Sequence, residues 1–443
     1  MKKINVITLG CAKNRVDSEH LSARFAAAGW SVVFDSDRTD AQVVVINTCG
    51  FIGDAKQESI DTILNAVAAK NAGRIEKLFV IGCLSERYAD VLRDEIPEVD
   101  DYFGARNMEE IADALCRATA GHDTDTMQAV ANAAPTDRLL STPRHYAYLK
   151  ISEGCNRECG YCAIPHIRGR HKSVPMESLV EEAEKLAAQG VRELIVIAQD
   201  TTFYGLDLYG RRTLGELLEK LCRIEGIEWI RIHYAYPAGF PDDVIEIMAR
   251  EKKICKYIDI PLQHIADTQL RSMRRGHTKA EAVALIRRLR ERMPDVALRT
   301  TLMTGYPGES EADFEELKEF VREVRFERLG VFTYCEEEGT YSAEQLTDDV
   351  PQSIKEQRAE EIMRLQNDIA AEMNAAHETE VMRVIIDGRE GDYYVGRTQY
   401  DSPEVDGEVL IPASEGRLRR GAFYNVRITV AEGYDLYGTV EKR

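Results

Sequence analysis

Short, uninterrupted apolar runs alternate with amphipathic stretches through most of this 443-residue chain. In the first part the runs are Ile4-Asn-Val-Ile-Thr-Leu9, Ala41-Gln-Val-Val-Val-Ile46 and Lys77-Leu-Phe-Val-Ile81. Continuous β-branched runs with helical patterns between them predict strands buried on both faces, hence a parallel α/β sheet over residues 1–118. Residues 119–143, from His122-Asp-Thr-Asp-Thr to Ser141-Thr-Pro143, are small and polar without a sustained period and read as a linker. Six further runs follow, over 146–151, 193–198, 229–234, 257–260, 297–303 and 329–333, with helical patterns over 176–189, 214–224, 242–251, 279–292 and 311–325. Repeated βα units with right-handed crossovers wind into a barrel or part of one, so a partial (βα)6 barrel is expected over 144–350, with its sites at the carboxyl ends of the strands. A connecting helix is expected over 351–376. Five strand-like runs broken by Asp387-Gly, Gly391-Asp and Asp406-Gly then predict a small antiparallel β-barrel over 377–443. The fold class is α/β with a β-barrel at the end.

Composition narrows the setting. Lys2 and Lys3 precede only Ile-Asn-Val-Ile-Thr-Leu, too short for a signal-peptide core, and no run of about 18 apolar residues occurs that could span a bilayer. A cytoplasmic protein with no membrane partner is expected. Its 57 Lys+Arg against 76 Asp+Glu give a net charge of −19, which repels a polyanion and attracts a basic partner. The terminal barrel carries 13 Asp+Glu and 9 Lys+Arg, a net −4, which is unhelpful for gripping RNA phosphates.

In a reducing compartment, ten cysteines argue for metal ligation over disulfides. Cys155, Cys159 and Cys162, in Gly154-Cys-Asn-Arg-Glu-Cys-Gly-Tyr-Cys162, put three thiols within eight residues directly after an apolar run. Thiolates suit iron–sulfur clusters, and three without a fourth leave one iron of a four-iron cluster open to a small chelate such as S-adenosylmethionine. A zinc knuckle completed by His166 or His171, or a closed electron-transfer cluster, is the other reading of the same spacing. Cys11, Cys49 and Cys83 each follow one of the first three apolar runs, beside Gly10, Gly50 and Gly82. The carboxyl ends of parallel strands open on one edge, so these three thiols can converge there as a second three-cysteine cluster site. Taken singly, each is also explained as a small buried side chain. Burial likewise explains Cys116, Cys222 and Cys255, while Cys335 ends the sixth strand alone. His166, His171, His233 and His264 lack a paired metal spacing.

These motifs together resemble the methylthiotransferases, a radical S-adenosylmethionine family with an N-terminal three-cysteine domain, a six-strand partial barrel and a C-terminal TRAM domain. Leu9-Gly-Cys-Ala-Lys-Asn-Arg-Val-Asp-Ser-Glu19, Asn47-Thr-Cys-Gly-Phe-Ile-Gly-Asp-Ala-Lys-Gln-Glu-Ser59, Leu149-Lys-Ile-Ser-Glu-Gly-Cys155 and Ile164-Pro-His-Ile-Arg-Gly169 are similar to the RimO branch. Lys13 departs from the Gly-Cys-Gln-Met-Asn of the tRNA-modifying branches. The resemblance implies addition of a methylthio group to the β-carbon of an aspartate in small ribosomal subunit protein twelve. It implies two 4Fe-4S clusters and two molecules of S-adenosylmethionine, one cleaved to a 5′-deoxyadenosyl radical at the Cys155/Cys159/Cys162 cluster and one supplying the methyl group. The Cys11/Cys49/Cys83 cluster would hold the sulfur. An electron donor such as flavodoxin or ferredoxin and a sulfur donor complete the implied partners, with RNA unfavoured as substrate. By the same resemblance Tyr161 packs beside the adenine and Gln199 and Asp200 lie where the methionine amino group binds. Gln263, Gly305 and Pro307 close strands at positions suited to the ribose and adenine. Each of these loops is also a turn device with no ligand needed. The same chemistry on a tRNA adenosine, and a non-catalytic iron–sulfur protein, are the alternative functions.

Overall fold

A computed structural model describes residues 2–37, 40–106, 108–120 and 134–441. They form two compact units: those within 1–142, 148–156 and 162–186 make the first, and those within 143–147, 157–161 and 187–443 the second.

The first unit is built on a sheet ordered β2-β1-β3-β4-β5, with β1 at Lys3–Thr8, β2 at Ser31–Phe34, β3 at Val43–Thr48, β4 at Lys77–Gly82 and β5 at Asp101–Tyr102. Every pairing is parallel. Alternate residues of one strand serve opposite cores: Val44, Ile46, Leu78 and Val80 pack on one face, Val43, Val45, Phe79 and Ile81 on the other. That double burial is why the runs are continuously apolar. Helices Ala12–Ala27, Gly53–Asn71 and Cys83–Glu95 follow β1, β3 and β4. Much of the stretch read as a linker, residues 121–133, lies outside the described residues. Its end is anchored: Arg138 is buried and donates to the carboxylates of Glu19 and Glu182, the latter at 2.9 Å, and to the Tyr148 carbonyl. A two-residue antiparallel ribbon joins β7 (Ser152–Glu153) to β8 (Lys172–Ser173).

A six-stranded sheet is ordered β13-β12-β11-β10-β9-β6, and β9 to β13 lie in the second unit. Its strands are β6 (Tyr146–Lys150), β9 (Glu193–Ile197), β10 (Trp229–Ile232), β11 (Ile254–Asp259), β12 (Ala297–Thr304) and β13 (Arg328–Thr333), and β9 to β13 pair in parallel. This is the expected six-strand partial barrel. The helix Gln352–Ala375 leads to a closed five-stranded barrel, ordered β14-β15-β16-β18-β17, formed by Val381–Glu390, Tyr393–Arg397, Val409–Pro412, Asp435–Val440 and Phe423–Glu432. A closed ring with an odd number of strands must contain a parallel neighbour pair, and here it is β16 with β18. The other four pairings are antiparallel, as expected of a small antiparallel barrel.

The terminal barrel and the loop after β15 are seated on the floor of the six-stranded sheet. Trp229, Cys255, Tyr257 and Ala297 pack with Ile385, and the Trp229 and Phe423 rings meet edge to face at 4.7 Å. Around that contact lies a buried polar lattice. Arg231 donates to Glu193 at 2.9 Å and to the Gln399 carbonyl at 2.8 Å, and Arg397 donates to Glu193 at 2.8 Å. Arg328 donates to Asp401 at 3.0 Å, Tyr257 to Asp406 at 2.8 Å, and His233 shares a hydrogen bond of 2.9 Å with Ser402. Glu193 and Arg231 are fully buried, so each relies on these partners to offset its lost hydration.

Candidate functional site

The register of the first sheet sets Thr8 beside Asn47 and Thr48 beside Gly82, so β1, β3 and β4 end level with one another. Cys49 directly follows β3, Cys83 directly follows β4 and opens a helix, and Cys11 directly precedes the helix after β1. Side-chain bonds stitch this rim together. Asn14 donates to the Leu9 carbonyl at 2.9 Å and the Thr48 carbonyl at 3.0 Å, while Asn47 donates to the Asn14 carbonyl at 2.9 Å. The Ser59 hydroxyl accepts from the Cys49 N–H and donates to the Cys49 carbonyl, both at 3.0 Å. A Cβ at Gly10 would stand 2.7 Å from the Cys49 Cβ and 2.9 Å from its Sγ, and one at Gly50 would stand 2.7 Å from the Leu84 backbone. Only glycine lets these segments approach so closely.

Burial raises the Cys49 and Cys83 thiols, Cys83 to about 11, and neighbouring Cys11 adds to both. Arg168 opposes this at Cys83, where its Nε donates to Sγ at 3.2 Å. Cys11 is exposed, while Cys49 and Cys83 are buried. Three thiols on one glycine-cleared rim, with a cation against the deepest, fit the donor set of a cluster with an accessible vertex. Among the described residues, no group of three or more His, Cys, Asp or Glu side chains is spaced to hold a single metal ion. Thiolates sharing one zinc lie within about 4 Å of each other, whereas a four-iron cluster takes each thiolate on a different iron.

The second cysteine set is divided between the units. Cys155 and Cys162 belong to the first and Cys159 to the second. Cys155 is buried and its N–H donates to the Gly169 carbonyl at 3.1 Å. Cys159 Sγ accepts from Arg275 at 3.2 Å and lies 3.7 Å from the Tyr236 hydroxyl. Arg275 is buried, stacks over the Tyr236 ring at 4.4 Å and also donates to the Tyr161 hydroxyl at 3.1 Å. A sulfur that accepts a cationic N–H of this kind suits the ligand of a cluster whose potential the protein sets.

The remaining expected contacts lie at the carboxyl ends of strands in the second unit. Gln199 and Asp200 follow β9. The Asp200 carboxylate is buried and taken by Arg157 at 2.8 Å and by the N–H and hydroxyl of Thr202 at 3.0 and 2.6 Å, so it orients the cysteine loop. Gln263 follows β11 with φ 72°, its backbone bridging to Thr301 and Met303. Gly305 donates its N–H to Glu309 at 2.9 Å, Pro307 is buried, and Tyr161 meets the Tyr306 ring edge-on at 6.5 Å. Arg168, Arg275, Tyr236 and Asn14 escape sequence reasoning. Arg168 and Asn14 lie inside quoted motifs, yet nothing in local spacing says which sulfur or carbonyl a donor reaches. Of the other cysteines, Cys116 and Cys255 are buried, Cys222 is half-buried and Cys335 is exposed.

Comparison with known proteins follows this geometry. Residues 149–321 match the radical SAM superfamily, residues 3–104 the family described as Uncharacterized protein family UPF0004, and residues 380–440 the TRAM domain. Among solved structures, the radical S-adenosylmethionine methyltransferase TsrM from Kitasatospora setae, with cobalamin and a [4Fe-4S] cluster bound, superimposes with a TM-score of 0.59 at 13% identity. That match covers 77% of this chain and 74% of TsrM. The cobalamin-dependent radical enzyme OxsB gives 0.53 at 12%, covering 83% and 55%. Both likenesses concern the fold. The family matches define the class as a radical S-adenosylmethionine enzyme, which implies a 4Fe-4S cluster and S-adenosylmethionine, flanked by UPF0004 and TRAM domains. The chain is 54% identical over 436 residues to the ribosomal protein uS12 methylthiotransferase RimO of Christiangramia forsetii, covering 98% of this chain and 94% of that protein. It is 51% identical over 437 residues to RimO of Phocaeicola vulgatus and 52% over 439 to that of Bacteroides thetaiotaomicron, with at least 98% of each chain covered. The chain belongs to the RimO family of radical S-adenosylmethionine methylthiotransferases.

Proposed function

We propose that this enzyme replaces a hydrogen on the β-carbon of an aspartate in small ribosomal subunit protein uS12 with a methylthio group. The carrying observation is identity of about one half, end to end, with relatives named for that protein. The charge agrees: a chain of net −19 with an acidic terminal barrel suits a basic ribosomal protein. The reading includes two clusters and two S-adenosylmethionine molecules, work in the cytoplasm, a flavodoxin or ferredoxin as electron donor, and a separate sulfur donor. No helix among the described residues is long and apolar enough to cross a membrane.

Cys155, Cys159 and Cys162 would hold the cluster that takes S-adenosylmethionine, and Cys11, Cys49 and Cys83 the cluster that carries sulfur. When bound, these groups supply the radical and the sulfur that an unactivated C–H bond requires. The chain supplies placement. Arg275 and Tyr236 fix Cys159, and Asp200 fixes the loop through Arg157. Gln199, Gln263, Gly305 and Pro307 follow strand ends and Tyr161 sits in the cysteine loop, where the nucleoside and methionine parts would lie. The buried polar lattice beneath the sheet packs its floor, and a radical centre above it would require solvent to be kept out.

The test is anaerobic loading with iron and sulfide, then reaction with S-adenosylmethionine and a strong reductant on uS12 and tRNA offered together. Mass analysis is expected to find one methylthio group on a uS12 aspartate. A modification found on tRNA alone overturns the proposal, and clusters present without S-adenosylmethionine cleavage favour a non-catalytic role.

A further inference from the structure

Arg168 lies at the end of the five-residue helix Ile164–Arg168, six residues beyond Cys162, yet its side chain reaches the strand-end cysteines. It is buried. Nε donates to Cys83 Sγ at 3.2 Å, Nη2 donates to the Asn14 side-chain oxygen, and Nη1 donates to Asp17 at 2.7 Å and Glu153 at 3.2 Å. Lys150 donates to both carboxylates as well, so two cations and two anions are held in one cage. The helix cannot drift. Ile167 packs with Cys83, Ala105 and Ala163, and the Ile167 carbonyl accepts from Arg106 at 2.9 Å. The planar guanidinium is therefore locked with one edge on the carboxylates and its Nε–H on sulfur, a division that a lysine ammonium does not reproduce.

We propose that Arg168 is a positioning residue for the strand-end cluster: it fixes Cys83 as a ligand and, through a cationic N–H to that sulfur, stabilises the reduced cluster. This rests on the reading of Cys11, Cys49 and Cys83 as cluster ligands. A hydrogen bond to a ligand sulfur favours the more negative oxidation state and so raises the reduction potential. Replacing Arg168 by Gln removes the cation while leaving Asp17 and Glu153 facing only Lys150, which lowers the potential further. Lysine keeps the charge and loses the forked geometry. The expected order of potentials is Arg, then Lys, then Gln.

The experiment uses the full chain carrying Cys155→Ala, Cys159→Ala and Cys162→Ala, so that only the strand-end cluster can load. Iron and sulfide content are measured anaerobically, and the midpoint is read by redox titration with electron paramagnetic resonance. The proposal expects a loaded cluster in this background, a downward shift for Arg168→Lys, a larger one for Arg168→Gln, and faster iron loss to a chelator in both. A loaded cluster with an unmoved midpoint in the variants overturns the role of Arg168 alone. Failure of the background protein to load any cluster overturns the two-cluster reading and this assignment with it. Should Arg168→Gln fail to fold, Arg168→Lys decides, since an unmoved midpoint there is sufficient to refute the assignment.

Discussion

Removing one thiol from each trio separates the two halves of the proposed chemistry. Cys155→Ala is expected to abolish 5′-deoxyadenosine formation, because the cluster proposed to cleave S-adenosylmethionine would lose a ligand. Cys49→Ala is expected to keep that cleavage and lose methylthiolation of uS12. Chromatography of the nucleoside alongside mass analysis of the peptide checks both, and equal loss in Cys49→Ala with the other cluster intact would refute separate roles. Another residue-scale expectation concerns His20. Burial, followed by Arg138 and Lys150, holds its pKa down to about 3. Between about pH 3 and 6.5 the folded chain then binds fewer protons here than the unfolded chain, so stability is full above that window and falls as pH drops through it. His20→Gln should flatten the acid limb of the stability curve by up to about one proton, measured by denaturant titration at stepped pH. The spacing of Cys155, Cys159 and Cys162 and the placing of Cys11, Cys49 and Cys83 just after apolar runs can be read from the sequence. The roles of Arg168 and Arg275 cannot, since they meet Cys83 and Cys159 across 85 and 116 residues of sequence.

At the scale of elements, periodicity carried most of the fold. The helix expected over 279–292 is Lys279–Arg292, and its start is written in Thr278 and Glu281, which bond reciprocally as a capping box. Ser310 and Asp313 cap Glu311–Val324 in the same way. Ser310→Ala is expected to destabilise the chain by about 1 kcal/mol, seen as a lower urea midpoint with an unchanged slope. What periodicity could not show is short or decided by partners. The ribbon of β7 and β8 is two residues on each side, too brief for an alternation to register. The parallel pairing of β16 and β18 follows from ring closure, a property of five strands together.

For the whole molecule, net charge was read directly from composition, whereas the seating of the last barrel was invisible to it. The count of −4 for that module hides where Asp387, Asp401 and Asp406 point, which is inward to arginines of its own unit. Deleting residues 377–443 would strip partners from Glu193, Arg231 and Arg328 at once, and orphaning a buried ion pair costs about 3–5 kcal/mol. The truncated chain is therefore expected to aggregate or to unfold at much lower denaturant, whereas a freely tethered module would leave the midpoint unchanged. Trp229, edge-on to Phe423, gives a fluorescence report of the same seating and should change together with far-ultraviolet dichroism in the full chain.

The lattice under the sheet also governs how this enzyme can be re-engineered. Grafting the terminal barrel of a relative that acts on a different macromolecule would bring in a foreign set of acids and carbonyls beneath β9, β10 and β13. Such a chimera needs Glu193, Arg231 and Arg328 exchanged along with the graft, because the terminal barrel and the six-stranded sheet share one set of buried charges.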